Sequence, residues 1–302
     1  MFPIIPANSV TASGNQEGIF GYGLNNVSMT NLVSDAGVVS SDAAGAGTGR
    51  DALAACEYGG DKGIFGYGSD NAAPYRCAVT NLVSNTGVVS SDQAAVTGLA
   101  RANPAACEYG EDKGIFGYGH GGGAYSAVSN LVSNAGVVAT DVAGVGTVRN
   151  CCAACEYGGD KGIFGFGYNS ASTLLGVTNL VSNAGVIASD TAAVGTATYA
   201  PSACGYGDDK GIFAFGEDVG GYIAKSNLVS NAGVVSSDVA GVGTARKQLA
   251  ACEYGGDKGI FGYGKTPSYV DETNLVSNTG VVASDVAGVG TARSNLAACS
   301  FA

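Results

Sequence analysis

The side chains of this sequence that can do chemistry are few. There are nine cysteines, one histidine and a repeated set of carboxylates. Cys56, Cys107, Cys155, Cys204, Cys252 and Cys299 recur at equivalent places. A disulfide needs Cα atoms within about 7 Å, and equivalent positions in different repeats stand further apart, so these six read as small buried apolar residues. Cys151-Cys-Ala-Ala-Cys155 has one Cys-x-x-Cys spacing, at Cys152 and Cys155. A zinc site takes about four ligands, and no second pair or nearby histidine follows. Cys152 also stands where other units carry Leu53 or Leu296, so packing is the simpler role. Cys77 falls in a variable segment and is the most reactive thiol by position. The count is odd and the Met1-Phe-Pro-Ile-Ile-Pro start has no basic region. The thiols are therefore expected to be reduced, in a protein made in cytoplasm.

His120 is the sole imidazole, so no Ser/His/Asp or Cys/His set forms without it. A carboxylate pair for glycoside hydrolysis is conceivable, for example Glu217 and Asp218 on one segment with Asp271 and Glu272 on the next. Acidic loop residues are usually solvated, so the expectation is a non-enzyme, with a carboxylate-dependent carbohydrate enzyme as one alternative. Asp-Val-Ala-Gly-Val-Gly lacks the alternating oxygen ligands of a calcium loop. Gly144-x-Gly-x-x-Arg and its copy at Gly241 open no helix on which a phosphate could sit. No cofactor and no metal are expected.

Composition narrows the classes further. A net charge of −11 on 302 residues excludes the basic footprint of a nucleic-acid binder. No apolar run approaches ~18 residues, so no membrane insertion is expected. Glycine supplies 50 residues and charged side chains only 13%, which argues for a turn-rich globular chain and against charge-driven disorder.

The elements that must position these residues are read from a repeat. Gly-Ile-Phe begins at Gly18, Gly63, Gly114, Gly162, Gly211 and Gly259, and Asn-Leu-Val-Ser at Asn31, Asn81, Asn130, Asn179, Asn227 and Asn274. In residues 51–98, Leu53 to Tyr58 reads as strand one, Gly63 to Tyr67 as strand two, Thr80 to Ser84 as strand three and Val88 to Ser91 as strand four. Gly59-Gly-Asp61 and Asn85-Thr-Gly87 are the hairpin turns. Glycine interrupts every helical window. A four-stranded unit of about 49 residues cannot cover both faces of its sheet, and radial stacking solves this. The expected architecture is an all-β, six-bladed propeller of four-stranded antiparallel blades occupying residues 14–302, preceded by an arm at 1–13. The C-terminal Leu296 to Phe301 segment repeats strand one, so it should complete the N-terminal blade and close the ring.

Arg293-Ser-Asn-Leu-Ala-Ala-Cys, with Lys-Gly-Ile-Phe-Gly-Tyr-Gly, resembles the kelch repeat across all six units, although strand two ends without a Gly-Gly doublet and strand four lacks tryptophan. The tighter form, with Asn-Leu-Val-Ser-Asn and Gly-Val-Gly-Thr-Ala-Arg, resembles kelch-like repeats of bacteriophage tail and other virion-associated proteins. That resemblance implies a virion location after assembly in a host cytoplasm, with other virion structural proteins as partners.

The repeats differ mainly on one side. The strand one–two and three–four turns are nearly uniform and lie together. The two–three segments (Leu24–Met29, Ser69–Val79, His120–Val128, Tyr168–Val177, Glu217–Lys225 and Lys265–Glu272) vary and lie opposite. Binding usually resides in such loops on a fixed scaffold. Tyr75, Tyr125, Tyr168, Tyr222 and Tyr269, with His120, are therefore candidates for recognising a host-surface glycan or protein. The alternative is that these tyrosines plug blade edges. Phe2, Ile4 and Ile5 form a candidate docking arm, or else pack beneath their own ring. A decoration or connector protein of the virion with no receptor role is the other alternative function. The repeated aspartates (Asp42, Asp92, Asp141, Asp190, Asp238, Asp285) and arginines (Arg50, Arg101, Arg149, Arg246, Arg293) are expected to tie neighbouring units together, with Thr198 replacing the arginine once.

Overall fold

A computed structural model describes residues 17–70, 72, 75–94 and 98–301, and these are all β. They form six three-stranded antiparallel sheets and one short hairpin, and none of the sheets closes on itself. Among the described residues no helix is long and apolar enough to cross a membrane. The arm residues Phe2, Ile4 and Ile5 lie outside the described residues.

Each sheet has an inner strand (Ala54–Tyr58, Ala105–Tyr109, Ala153–Tyr157, Ser202–Tyr206, Ala250–Tyr254 or Ala297–Phe301). The middle strand is Glu17–Gly21, Lys62–Gly66, Lys113–Gly117, Lys161–Gly165, Lys210–Asp218 or Lys258–Gly262. The outer strand is Thr30–Val33, Thr80–Val83, Ser129–Val132, Thr178–Val181, Gly221–Val229 or Thr273–Val276. Inner strand Ala297–Phe301 pairs with Glu17–Gly21, from Glu17 opposite Phe301 to Gly21 opposite Ala297. The two ends of the described chain thus share one sheet, as the sequence predicts. Successive inner strands lie side by side, and Ala297–Phe301 lies beside Ala54–Tyr58.

Both faces of every middle strand are covered, which explains why Ile and Phe stand next to each other instead of alternating with polar residues. Phe65 packs with Ile19 and Tyr22 of the preceding sheet, while Ile64 packs with Phe116 of the following one. Full burial of such a side chain is worth roughly 1.5–3 kcal/mol. The glycines flanking Ile-Phe permit this stacking. A Cβ on Gly66 would stand 2.7 Å from the Phe116 ring, and one on Gly114 would stand 2.5 Å from Cys56 Sγ. Edge-to-face aromatic pairs cross each junction, from Tyr22–Phe65 at 5.1 Å to Tyr263–Phe20 at 5.2 Å.

The repeated Arg and Asp do tie units together. The Arg293 guanidinium lies 4.3 Å over the Tyr263 ring, donates from Nε to the Tyr22 carbonyl (2.8 Å) and from Nη2 to Asn31 Oδ1 (2.7 Å). Asn31 Nδ2 donates in turn to Asp42 (2.9 Å), and Asp42 accepts from the backbone N–H and hydroxyl of Thr291. This clasp joins the last repeat to the first. Where Thr198 replaces the arginine, Lys225 reaches in and lies 3.5 Å from Asp238.

The expected fourth strand is a correction. The segments after the outer strands join by isolated bridges, such as Val33 with Val39 and Thr30 with Ala43, so each sheet has three strands. The reason is local. In every unit the outer-strand asparagine donates from Nδ2 to a carbonyl of the following segment, as Asn31 does to Ser40 (3.0 Å) and Asn130 to Ala139 (3.0 Å). Side chains interrupt the ladder that a regular strand would continue.

Candidate functional site

The two sides differ as the repeats imply. On the uniform side the two turns of a unit are joined, with Asn134 Nδ2 donating to Asp112 and Asn183 Nδ2 to Asp160, each at 3.0 Å. On the opposite side the start of each variable segment bridges to the residues ahead of an inner strand, as Tyr168 does with Asn150 and Glu217 with Tyr199. These bridges fix side chains from neighbouring units against one another.

They form a cleft of about 330 Å³ lined by Tyr125, Asn150, Tyr168, Leu174, Tyr199, Glu217 and Asp218. Tyr125 is held by a two-strand hairpin, His120–Gly121 with Ala124–Tyr125, where the sequence suggested a loop. Glu217 and Asp218 end a nine-residue strand that continues into the Gly221–Val229 strand, again as a hairpin and not a loop. Four rings form a row that runs into the cleft: His120–Tyr125 edge to face at 5.3 Å, Tyr125–Tyr168 tilted at 6.2 Å and Tyr168–Tyr199 edge to face at 5.7 Å. Lys247 Nζ lies 5.0 Å above Tyr199 and 5.5 Å above Tyr222 and is ion-paired with Glu217. The positive charge is therefore spent inside the wall.

The polar groups of the cleft are tyrosine hydroxyls, the Asn150 amide and two carboxylates. Asn150 Oδ1 is buried without a hydrogen-bond partner. Asp218 Oδ1 accepts the Gly220 N–H at 2.7 Å, and its Oδ2 lies 3.7 Å from Lys225. The Tyr199 hydroxyl is raised well above the ordinary tyrosine range by the neighbouring Cys151 thiol, to which it bonds, and by burial. His120 Nδ1 faces Arg76 Nη2 at 3.0 Å. Burial and then Arg76 lower the His120 pKa, which favours a neutral ring with Nδ1 as the acceptor.

The sequence candidates divide. His120, Tyr125 and Tyr168 stand in one aromatic row, and Tyr222 joins it through Lys247. Tyr75 and Tyr269 do not: they are 58% and 41% exposed, and Tyr269 meets only the Lys265 ammonium at 5.5 Å among the ring contacts described. Sequence reasoning missed Asn150, Tyr199 and Lys247, which lie in between-unit segments. The signal was available, since those segments must share a side with the variable ones. Asp271 and Glu272 do not line this cleft.

A second polar cluster was also missed. Inner-strand alternation carries Ala55 and Glu57 to one side, and the equivalents line a narrow cavity of about 70 Å³ among all six inner strands. Glu57, Glu108, Glu156 and Glu253 meet there, with Gly205 and Ser300 at the two remaining positions. Ser300 Oγ accepts the Glu253 N–H at 2.8 Å, and Glu57 bonds Glu108 and Ser300. Burial pushes all four carboxyls up, and for Glu108, Glu156 and Glu253 the neighbouring glutamates push further. The six recurrent cysteines are buried free thiols in the same wall. Cys152 is buried and Cys77 is the least enclosed of the nine. Among the described residues, no group of three or more His, Cys, Asp or Glu is placed to hold a metal ion.

No protein-family model matches the chain, and no curated protein matches it.

Proposed function

We propose that this chain is a six-bladed, kelch-like propeller that acts by binding, with its variable side as the recognition surface for a host-surface glycan or protein on behalf of a virion. The cyclic succession of inner strands and the Asp42–Thr291 clasp support the ring. The observation that carries the binding reading is the cleft, where aromatic faces and carboxylates from several units converge. Such convergence of apolar rings with a few placed polar groups is the usual form of a small-ligand site. The virion assignment rests on the repeat resemblance alone.

A purely structural decoration role gives the cleft no use. The hydrolase reading is disfavoured because Glu217 is tied to Lys247 and Asp218 to Gly220, while Asp271 and Glu272 do not line the cleft. Titration of fluorescently labelled chain onto a panel of intact bacterial strains tests the reading. Saturable binding to at least one strain is expected, and absence of binding across the panel returns the function to decoration.

A further inference from the structure

The chemistry of the cleft restricts what it can recognise. Its rings offer faces for an apolar surface: Tyr125, Tyr168 and Tyr199 are tilted against one another, with 58° between Tyr125 and Tyr168 and 69° between Tyr168 and Tyr199. No one flat aromatic ligand can lie parallel to rings set at such angles, whereas a puckered ring with C–H groups on one face and hydroxyls at its edge can touch several of them. Beside those faces stand the carboxylates of Glu217 and Asp218. Glu217 and Asp218 are acceptors when ionised. Lys247, the cation beside the cleft, is already committed to Glu217 and to the Tyr199 and Tyr222 rings. Lys225, on the far side of Asp218, is shared with Asp238.

We propose that this cleft binds a neutral, hydroxyl-rich sugar ring and discriminates against acidic sugars. The proposal rests on the variable side being the recognition side and names what that side takes. A pyranose hydroxyl donates to Asp218, while the C–H face of the ring lies on Tyr168 with Tyr125 and Tyr199 on its flanks. A uronic or sialic acid brings a carboxylate beside Glu217 and Asp218, where like charges repel in a partly desolvated site, and it finds no free cation. At about 330 Å³ the cleft sits at the lower end of the ~300–1,000 Å³ range of small-molecule sites, which suits a terminal sugar more than an internal stretch of a long chain.

The test uses the whole chain with defined probes: methyl glucoside, methyl galactoside and N-acetylglucosamine as neutral sugars, glucuronate and N-acetylneuraminate as acidic ones, read by saturation-transfer NMR and titration. At least one neutral probe should bind, at least ten-fold more tightly than either acid. Tyr168→Ala should weaken it at least ten-fold, and Tyr269→Ala, outside the cleft, should leave it unchanged. Thermal melts of each variant separate loss of a contact from loss of fold, and Tyr168→Phe keeps the ring as a conservative check that should retain binding. Acidic sugars binding as well as neutral ones, or Tyr168→Ala binding as the parent does, would overturn the proposal. If the chain binds cells but no neutral probe competes, the sugar assignment falls and the recognition reading stands. If it binds neither cells nor sugars, both fall.

Discussion

Raising the pH from 5 to 8 should destabilise this protein, because four carboxyls share the narrow space among the inner strands. Glu57, Glu108, Glu156 and Glu253 are all shifted upward, first by burial; for Glu156 the value moves from 4.5 to about 8. The folded chain therefore holds protons that the unfolded chain has released. That contribution is complete below about pH 4.5 and is lost as the pH rises through about 8. For Glu156 alone the shift corresponds to ~5 kcal/mol at most. The four groups repel one another through the same field, so their shifts do not add. For Glu156 alone, the part of that shift that falls between pH 5 and 8 is ~3.5 kcal/mol, which is the working figure. With an unfolding entropy of ~2.1 cal/mol/K per residue, a chain of 302 residues loses about 6 °C in Tm for that amount.

Other titrations leave this window clear or oppose it weakly. The clasp aspartates Asp42, Asp92, Asp190, Asp238 and Asp285 are lowered, so they are ionised throughout and lose their contribution only at more acid pH. His120 is lowered too, so its contribution grows as pH rises toward about 6.5 and is complete above that. It is one partly exposed group against four enclosed ones. The assay is calorimetric melting at constant ionic strength across pH 5, 6, 7 and 8. The variant Glu57→Gln/Glu108→Gln/Glu156→Gln/Glu253→Gln places neutral isosteres in the cavity, and its Tm should be nearly flat and close to the parent's pH 5 value. A parental Tm that is flat or rises from pH 5 to 8, or a quadruple variant that keeps the parental slope, refutes the reasoning.

Three further outcomes follow from the packing. Arg149→Ala removes a fully buried guanidinium lying 3.9 Å over Tyr118 and bonded to Asn179, and a loss of about 3–5 kcal/mol, as for breaking a buried charge interaction, should appear in urea unfolding. Gly114→Ala places a methyl 2.5 Å from Cys56 Sγ and 2.9 Å from the Glu57 carbonyl; it should cost about 1–3 kcal/mol, and adding Cys56→Ala should recover only part, since the carbonyl cannot move aside. A thiol-reactive dye should modify Cys77 first in the native protein and all nine cysteines after denaturation, because the other eight are buried; rapid native modification of several thiols would contradict the packing.

Much of the scaffold was legible because glycine spacing and adjacent Ile-Phe leave few ways to cover a small sheet. The pairing of Ala297–Phe301 with Glu17–Gly21 was readable from the terminal half-repeat. The clasps were readable because Asp and Arg recur at one register. The fourth strand was over-read: the Asn31 side chain and its equivalents satisfy carbonyls that a ladder would use, and sequence pattern does not show that competition. The cleft was half legible. Its tyrosines in variable segments were visible, but Asn150 and Tyr199 belong to connections that look like mere spacers, and only the bridges to Tyr168 and Glu217 bring them in. The glutamate cluster stayed hidden because Cys-Glu-Tyr reads as the approach to a uniform turn. Alternation along the inner strand is what aims the carboxyls at one another.

The measurement that bears most directly on the account is cell binding by the parent chain against a Tyr125→Ala/Tyr168→Ala variant of equal thermal stability, on the strain that binds the parent best. At least a ten-fold loss in the variant, with Tyr75→Ala unchanged, is the predicted result. Equal binding by parent and variant, or no bound strain at all, would contradict the claim that this cleft is where the protein recognises its target.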